Sequence, residues 1–170
     1  MGKGAANRRK GHNAERYYMN FFKDMGFKHC STSRYASRRY DNGKIDLVYV
    51  PFNIQIKAGK QKNMNAGKVL FEVENCVKAM FPPEEKVHQQ PYLLFHYKQG
   101  TPGKKREPED EIVFMSLKQF KVFNEKTNNN DLKFLGSKSF KFKLNSDFKD
   151  VVWMTFEYFT ENILKPLYLC

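Results

Sequence analysis

The stretch Gly43-Lys44-Ile45-Asp46-Leu47-Val48-Tyr49-Val50-Pro51-Phe52-Asn53-Ile54-Gln55-Ile56-Lys57 decides how this chain is read. In its first half Ile45, Leu47 and Tyr49 alternate with Asp46, Val48 and Val50. A period of two marks a half-buried strand, because successive side chains leave opposite faces. Beyond Pro51, Ile54 and Ile56 alternate with Gln55 and Lys57, which predicts a second strand. A tight turn centred on Val50-Pro51 sets Asp46 directly across from Gln55, with Lys57 two residues along on the same face. Cross-strand partners have Cβ atoms only ~5 Å apart. An acid, an amide and a lysine then converge on one face while aliphatics anchor the other. Pro51 is a poor residue for a tight hairpin, so the register is free to slip.

Upstream, Asn13 is placed to cap a helix running to about Met25, with Gly26 as its stop. Ala14, Tyr17/Tyr18, Phe21/Phe22 and Met25 recur at helical spacing and give one broad apolar face. Glu15 falls in the first turn of that helix, where the dipole alone favours a carboxylate by ~0.3–1 kcal/mol. Phe27–Tyr35 is a weakly patterned first strand, and residues 36–43 form a loop rich in cations and turn formers.

Downstream, residues 66–80 carry Val69, Leu70, Val73, Val77 and Met80 at helical spacing, ended by Pro82-Pro83. Residues 91–97 and 111–117 are predicted strands, and a short helix follows around residues 118–126. Phe134, Phe140, Phe142 and Leu144 suggest an edge strand or hairpin. The aromatic segment from about Phe148 to Leu169 reads as helical up to Lys165-Pro166, and its Trp153, Phe156 and Phe159 suit a core or a subunit interface equally. His96 reads as a core or edge histidine rather than a ligand. The expected fold is α/β, a mixed sheet flanked by helices. A basic arm over residues 1–11 precedes a single domain over 12–170, whose core spans about 12–117 and whose helical and β extension spans 118–170.

Composition narrows the function. With 170 residues, 41% of them hydrophobic and sixteen of them Phe, the chain can bury a real core. No apolar run is long enough to span a bilayer, and no apolar stretch follows the basic start, so neither a membrane span nor a secretory leader is expected. Cys30, Cys76 and Cys170 are odd in number and far apart, which suits free thiols in a reducing compartment, the cytoplasm. The formal charge of +12 is concentrated: residues 1–62 hold fourteen Lys/Arg against four Asp/Glu, residues 63–170 sixteen against fourteen. A basic excess confined to one third of the chain predicts a polyanionic partner, nucleic acid above all.

The polar group on the hairpin suits phosphodiester hydrolysis. Mg²⁺ takes oxygen ligands and keeps several waters, so one or two carboxylates with a carbonyl oxygen suffice. Asp46 and the Gln55 amide oxygen supply such ligands, with Glu15 in reach if its helix packs beside the hairpin, and a lysine such as Lys57 steadies the attacking water or the phosphate.

In this respect the chain resembles the PD-(D/E)XK nuclease superfamily, and within it the archaeal-type Holliday-junction resolvases. The features that carry the resemblance are Arg8-Arg9-Lys10-Gly11, Glu15-Arg16, Gly26-Phe27, Ser33-Arg34 through Arg38-Arg39, Asp46 and Gln55-Ile56-Lys57, in that order. They cover roughly residues 8–62. The resemblance implies a restriction-endonuclease-like core of order αβββαβ, and a structure-selective endonuclease acting on branched DNA as a homodimer. It also implies a metal site of Glu15, Asp46 and Gln55, with Lys57 as the fourth catalytic group. Arg8, Arg9, Lys10, Arg34, Arg38, Arg39, Lys44, Lys60 and Lys62 are the expected DNA contacts, with Ser37 beside them and Ser33 or Ser37 helping to hold the backbone or the metal water. Ile45 stands where the pattern has Pro, and Gln55 where it has Asp or Glu. The amide keeps one oxygen for a metal but removes a charge, so weaker Mg²⁺ binding, with Mn²⁺ as a possible preference, is expected. Restriction-like and flap-type nucleases of the same superfamily, and a DNA-binding protein that has lost catalysis, are the competing readings. A compact enzyme of this kind suits a virus or phage as well as a cell.

Overall fold

The computed structural model describes residues 2–59, 64–98, 102–128, 131–142 and 146–169. Its frame is a mixed five-stranded sheet flanked by helices, so the α/β expectation holds. The strands are β3 (Asn53–Ala58), β4 (Tyr92–Tyr97), β5 (Glu111–Ser116), β6 (Gly136–Ser139) and β7 (Asp150–Thr155), in the order β3-β4-β5-β7-β6. Only β3 and β4 run parallel, as the intervening helix α4 (Ala66–Met80) requires. The two remaining strands, β1 (Ser31–Thr32) and β2 (Leu47–Val48), form a separate antiparallel pair. The order from the first helix to β4 is helix, three strands, helix, strand, as expected, with two short helices inserted between β1 and β2.

The first helix, α1 (Lys3–Asp24), is longer than its sequence signals suggest. Asn13 does not cap it, and the basic arm is its exposed first turns. Residues 5–10 contain Ala, Arg and Lys with no proline, and adding turns to a helix already held by packing costs far less than nucleating one. The C-terminal half is anchored by Ala14, Tyr18 and Phe22, all fully buried. Tyr18 and Phe22 pack their rings on Phe95 of β4 at centroid distances of 5.0 and 6.2 Å. Such aromatic pairs add ~0.5–1.5 kcal/mol each beyond the area they bury. Gly26 ends the helix at φ +115°, a conformation that L side chains rarely adopt.

Strands alternate cleanly between two faces. Ile54, Ile56, Leu93, Phe95, Val113, Met115, Val152 and Met154 face α1 and the C-terminal helices, whereas Leu94 and Val151 face α4 through Leu70. The last segment corrects the sequence reading: residues 150–155 form a strand inside the sheet, paired on both sides. Val151-Val152-Trp153-Met154-Thr155 is β-branched and aromatic, and suits a pleated surface better than a helix. The helix begins only at Phe156, as the consecutive pieces Phe156–Phe159, the π-helical Thr160–Leu164, and Lys165–Tyr168. Phe156 and Phe159 are consumed by the core, and Trp153 packs on Phe114 at 5.7 Å, so these aromatics are not the free interface that composition allowed. Gly136 lies beneath that indole, where a Cβ would sit 2.3 Å from Trp153 Cζ2.

The opening hairpin is also corrected. Ile45, Leu47, Val48 and Val50 are all buried, whereas Tyr49 is 69% exposed, so the alternation does not hold across the whole stretch. Lys44 and Tyr49 both take φ +62°, turning the chain on either side of Asp46. Ile45 therefore packs with Val73, Val77 and Phe81 beneath α4, while Leu47 joins the main core. The expected strand over 27–35 shrinks to β1, and the loop over 36–43 is largely taken up by α2 (Ser33–Ala36) and α3 (Arg38–Asn42). Leu144 of the expected edge hairpin lies outside the described residues. Cys30 and Cys76 are free thiols, Cys30 buried with its pKa pushed up to about 11 by burial.

Candidate active site

Asp46 sits between two elements and is held through its backbone by both. Its N–H donates to the Ile54 carbonyl at 2.8 Å, and its own carbonyl accepts from the Ser33 N–H at 2.9 Å. β3 is an edge strand of the five-stranded sheet, so its outward N–H groups need partners. One of them, the Ile56 N–H, donates to Asp46 Oδ2 at 2.6 Å, and Gln55 Nε2 donates to the same oxygen at 2.9 Å. Asp46 and Gln55 therefore do meet, by side-chain hydrogen bonds rather than by a regular two-stranded ladder.

Glu15 reaches the same place from α1. The helix starts twelve residues earlier in the chain, so Glu15 is nowhere near its first turn and the dipole does not account for it. It lies a turn before Tyr18 on the packed face and is only 6% exposed. Arg34 Nη2 of α2 donates to Glu15 Oε1 at 3.3 Å, a half-exposed cation on a buried acid. Burial raises the Glu15 pKa, with Arg34 and then His12 opposing the rise. Burial also pushes Asp46 up to about 7; the Ile56 N–H bond opposes this, the nearby charge of Glu15 adds to it, and Lys57 and Arg34 oppose it. The charges of Glu15 and Lys57 both act on the Asp46 carboxyl, which places the three in one electrostatic neighbourhood, beside Gln55. Lys57 is exposed and forms no ion pair among the described residues.

Three oxygens in this group, Glu15 Oε2, Asp46 Oδ1 and Gln55 Oε1, carry no hydrogen bond among the described residues. Two buried carboxylates with one shared guanidinium as compensation, together with a free amide oxygen, form a hard-oxygen donor set short of positive charge. That fits Mg²⁺ or Mn²⁺ in kind. Among the described residues there is no cluster of three or more His, Cys, Asp or Glu arranged for a metal.

The predicted basic residues separate into distinct roles. Arg8 and Lys10 are exposed on the first turns of α1, as is Arg9, and Arg38 is exposed on α3. Arg39 is already engaged: it forms two hydrogen bonds to Glu85 at 3.0 and 3.2 Å and lies over the Phe81 ring at 4.5 Å. Lys44 pairs with Glu72 at 3.5 Å, and Arg34 with Glu15. Ser37 accepts from the Tyr40 N–H at 3.4 Å and caps α3, so its hydroxyl has a structural task. Lys60 and Lys62 lie outside the described residues.

Ser33, expected to help hold the backbone or the metal water, has its Oγ buried without a partner among the described residues, beside the Asp46 carbonyl. One group escaped the sequence reading: His12 Nε2, buried without a partner among the described residues, one turn before Glu15. The i to i+3 relation of His12 and Glu15 on α1 was the available signal. No protein-family model, curated protein or solved structure matches the chain.

Proposed function

We propose that the chain is a divalent-metal-dependent DNA endonuclease of PD-(D/E)XK type, with a restriction-endonuclease-like core and branched DNA as its substrate. A homodimeric Holliday-junction resolvase working in the cytoplasm, of a cell or of an infected host, is the form that fits best. The observation that carries this reading is the convergence of buried Glu15, Asp46 and Gln55 with an exposed Lys57 that forms no ion pair among the described residues, on the third of the chain, residues 1–62, that bears a net charge of +10. A purely structural polar patch has no need of a second buried acid whose charge raises the Asp46 pKa further.

Glu15 Oε2, Asp46 Oδ1 and Gln55 Oε1 are the oxygens that would hold the metal. When bound, such an ion polarises the phosphate and lowers the pKa of its water. The chain's own groups do the rest. Gln55 and the Ile56 N–H fix one Asp46 oxygen so that the other is aimed outward, and Arg34 does the same for Glu15. Lys57, which forms no ion pair among the described residues, is available to hold the attacking water or a phosphate oxygen and to stabilise charge that builds in the transition state. The exposed cations of α1 and α3 align the phosphate backbone across the site. Two like sites in a twofold dimer match a symmetric branched substrate.

The test is cleavage of four-way, flap and linear duplex DNA in Mg²⁺ and in Mn²⁺. Cutting confined to the four-way junction supports the resolvase reading, and cutting of flaps or linear duplex assigns the other nuclease classes. The amide at position 55 favours a second reading, a DNA-binding protein without catalysis; tight binding with no cutting in either metal would establish it.

A further inference from the structure

A cleft of about 520 Å³ opens beside Glu15, between α1 and the β1–α2 segment. Met19 and Tyr35 supply its apolar lining, Arg16, Lys23 and Arg34 its cations, and Glu15 its single acid. Tyr35 is 94% exposed and makes no ring contact among the described residues, although most of the chain's aromatic rings are packed. Neither Arg16 nor Lys23 forms an ion pair among the described residues. An apolar floor, a free aromatic face and cations at the rim match the two halves of a nucleotide, base and phosphate. The volume lies within the range of small-ligand sites. A stacked, paired base cannot enter such a cleft, because its faces and pairing edge are covered, whereas an unpaired base can.

We propose that this cleft binds one unpaired nucleotide, its base stacked on Tyr35 and its phosphate held by Arg16 and Lys23. Resting on the nuclease reading, this places the strand's neighbouring phosphate at Glu15 and Asp46. It supplies a physical reason for acting at branch points, where stacking is interrupted and a nucleotide leaves the stack at least cost. Arg34 joins the two regions, since it lines the cleft and pairs with Glu15.

Binding is measured with the full chain in EDTA, so that no substrate is cut. The probes are a fluorescein-labelled blunt duplex and the same duplex carrying a single-stranded flap with 2-aminopurine at the branch. The wild type should bind the flap probe more tightly and quench the 2-aminopurine by stacking. Tyr35→Ala should lose about tenfold in flap affinity and the quenching, with duplex affinity unchanged; Tyr35→Phe should keep both. Arg16→Ala should weaken flap binding without removing the quench. Equal wild-type affinity for the two probes overturns the proposal, as does a Tyr35→Ala loss shared equally by both. The nuclease reading fails separately, by absence of metal-dependent cutting, which these binding measurements do not involve.

Discussion

Gln55 donates its amide nitrogen to Asp46 Oδ2 at 2.9 Å, so the acid and the amide are joined through nitrogen and the amide oxygen has no partner among the described residues. That polarity matters for the site. A carboxylate at position 55 would set two anions at hydrogen-bond distance in a buried setting, with a cation as the natural remedy. The amide instead satisfies Asp46 without one.

Gln55→Glu should therefore lower stability in the absence of metal and raise metal affinity. The loss is expected at about 1–3 kcal/mol, the cost of replacing a buried hydrogen bond by an unpaired charge. Thermal unfolding with and without Mg²⁺ reads both effects. A smaller Mg²⁺-induced rise in Tm for the variant than for the wild type would falsify the assignment of residue 55 to the metal.

Asp46 gives the folded chain an unusual pH dependence. Its carboxyl holds a proton up to about pH 7 when folded, against an ordinary value of 3.8. The folded state thus binds the extra proton between those values, and stability falls as pH rises through that window. His96 acts in the opposite sense: burial lowers its pKa, so it costs stability as pH falls below its ordinary 6.5. The difference between wild type and Asp46→Asn isolates the carboxylate. Denaturant titrations of the metal-free protein should show the asparagine variant losing less stability between pH 3.8 and about pH 7, window limits set by the two Asp46 values. Parallel curves for the two proteins would contradict the buried, charged setting. Added Mg²⁺ should stabilise the wild type more at high pH than at low, because binding displaces the proton.

Lys57 separates activity from stability. It is exposed and without an ion pair, so Lys57→Ala should change unfolding free energy by no more than ~0.5 kcal/mol. The same substitution should reduce cutting by about a hundredfold or more, the usual effect of removing a group that stabilises transition-state charge. An active Lys57→Ala enzyme would remove lysine from the mechanism.

Arg38 and Arg39 are neighbours with different expected phenotypes. Arg38→Ala should weaken DNA binding and reduce the salt slope by about one, since a phosphate contact releases a counterion. Arg39→Ala should leave that slope unchanged and cost stability, about 1 kcal/mol, through loss of the Glu85 pair and the stack on Phe81. Anisotropy titrations across a salt series, with unfolding curves for both variants, distinguish the two. A reversed pattern would mean that Glu85 releases Arg39 when DNA binds.

Helix α4 and strands β4 and β5 were legible because each depends on a local period and a local stop: Val69 to Met80 before two prolines, and short apolar runs for the strands. The meeting of Asp46 with Gln55 was legible too, since both interrupt apolar strands and burial of such polar groups calls for a partner. Tertiary structure decided what those residues do to one another. Whether Glu15 answers to a helix dipole or to the Arg34 guanidinium depends on where α1 begins, and that follows from packing of Tyr18 and Phe22, which lets the basic turns extend a helix already formed. The strand at 150–155 is a helix or a strand according to the neighbours available, and β5 and β6 supply them. Arg39 and Lys44 read in sequence as free cations, whereas Glu85 and Glu72, distant in sequence, are folded against them. The hairpin around Val50-Pro51 shows the same division. Its polar residues announce a site, but the meeting of Asp46 with Gln55 rests on two left-handed turns and an edge strand needing a hydrogen-bond partner, conditions that no local pattern of residues expresses.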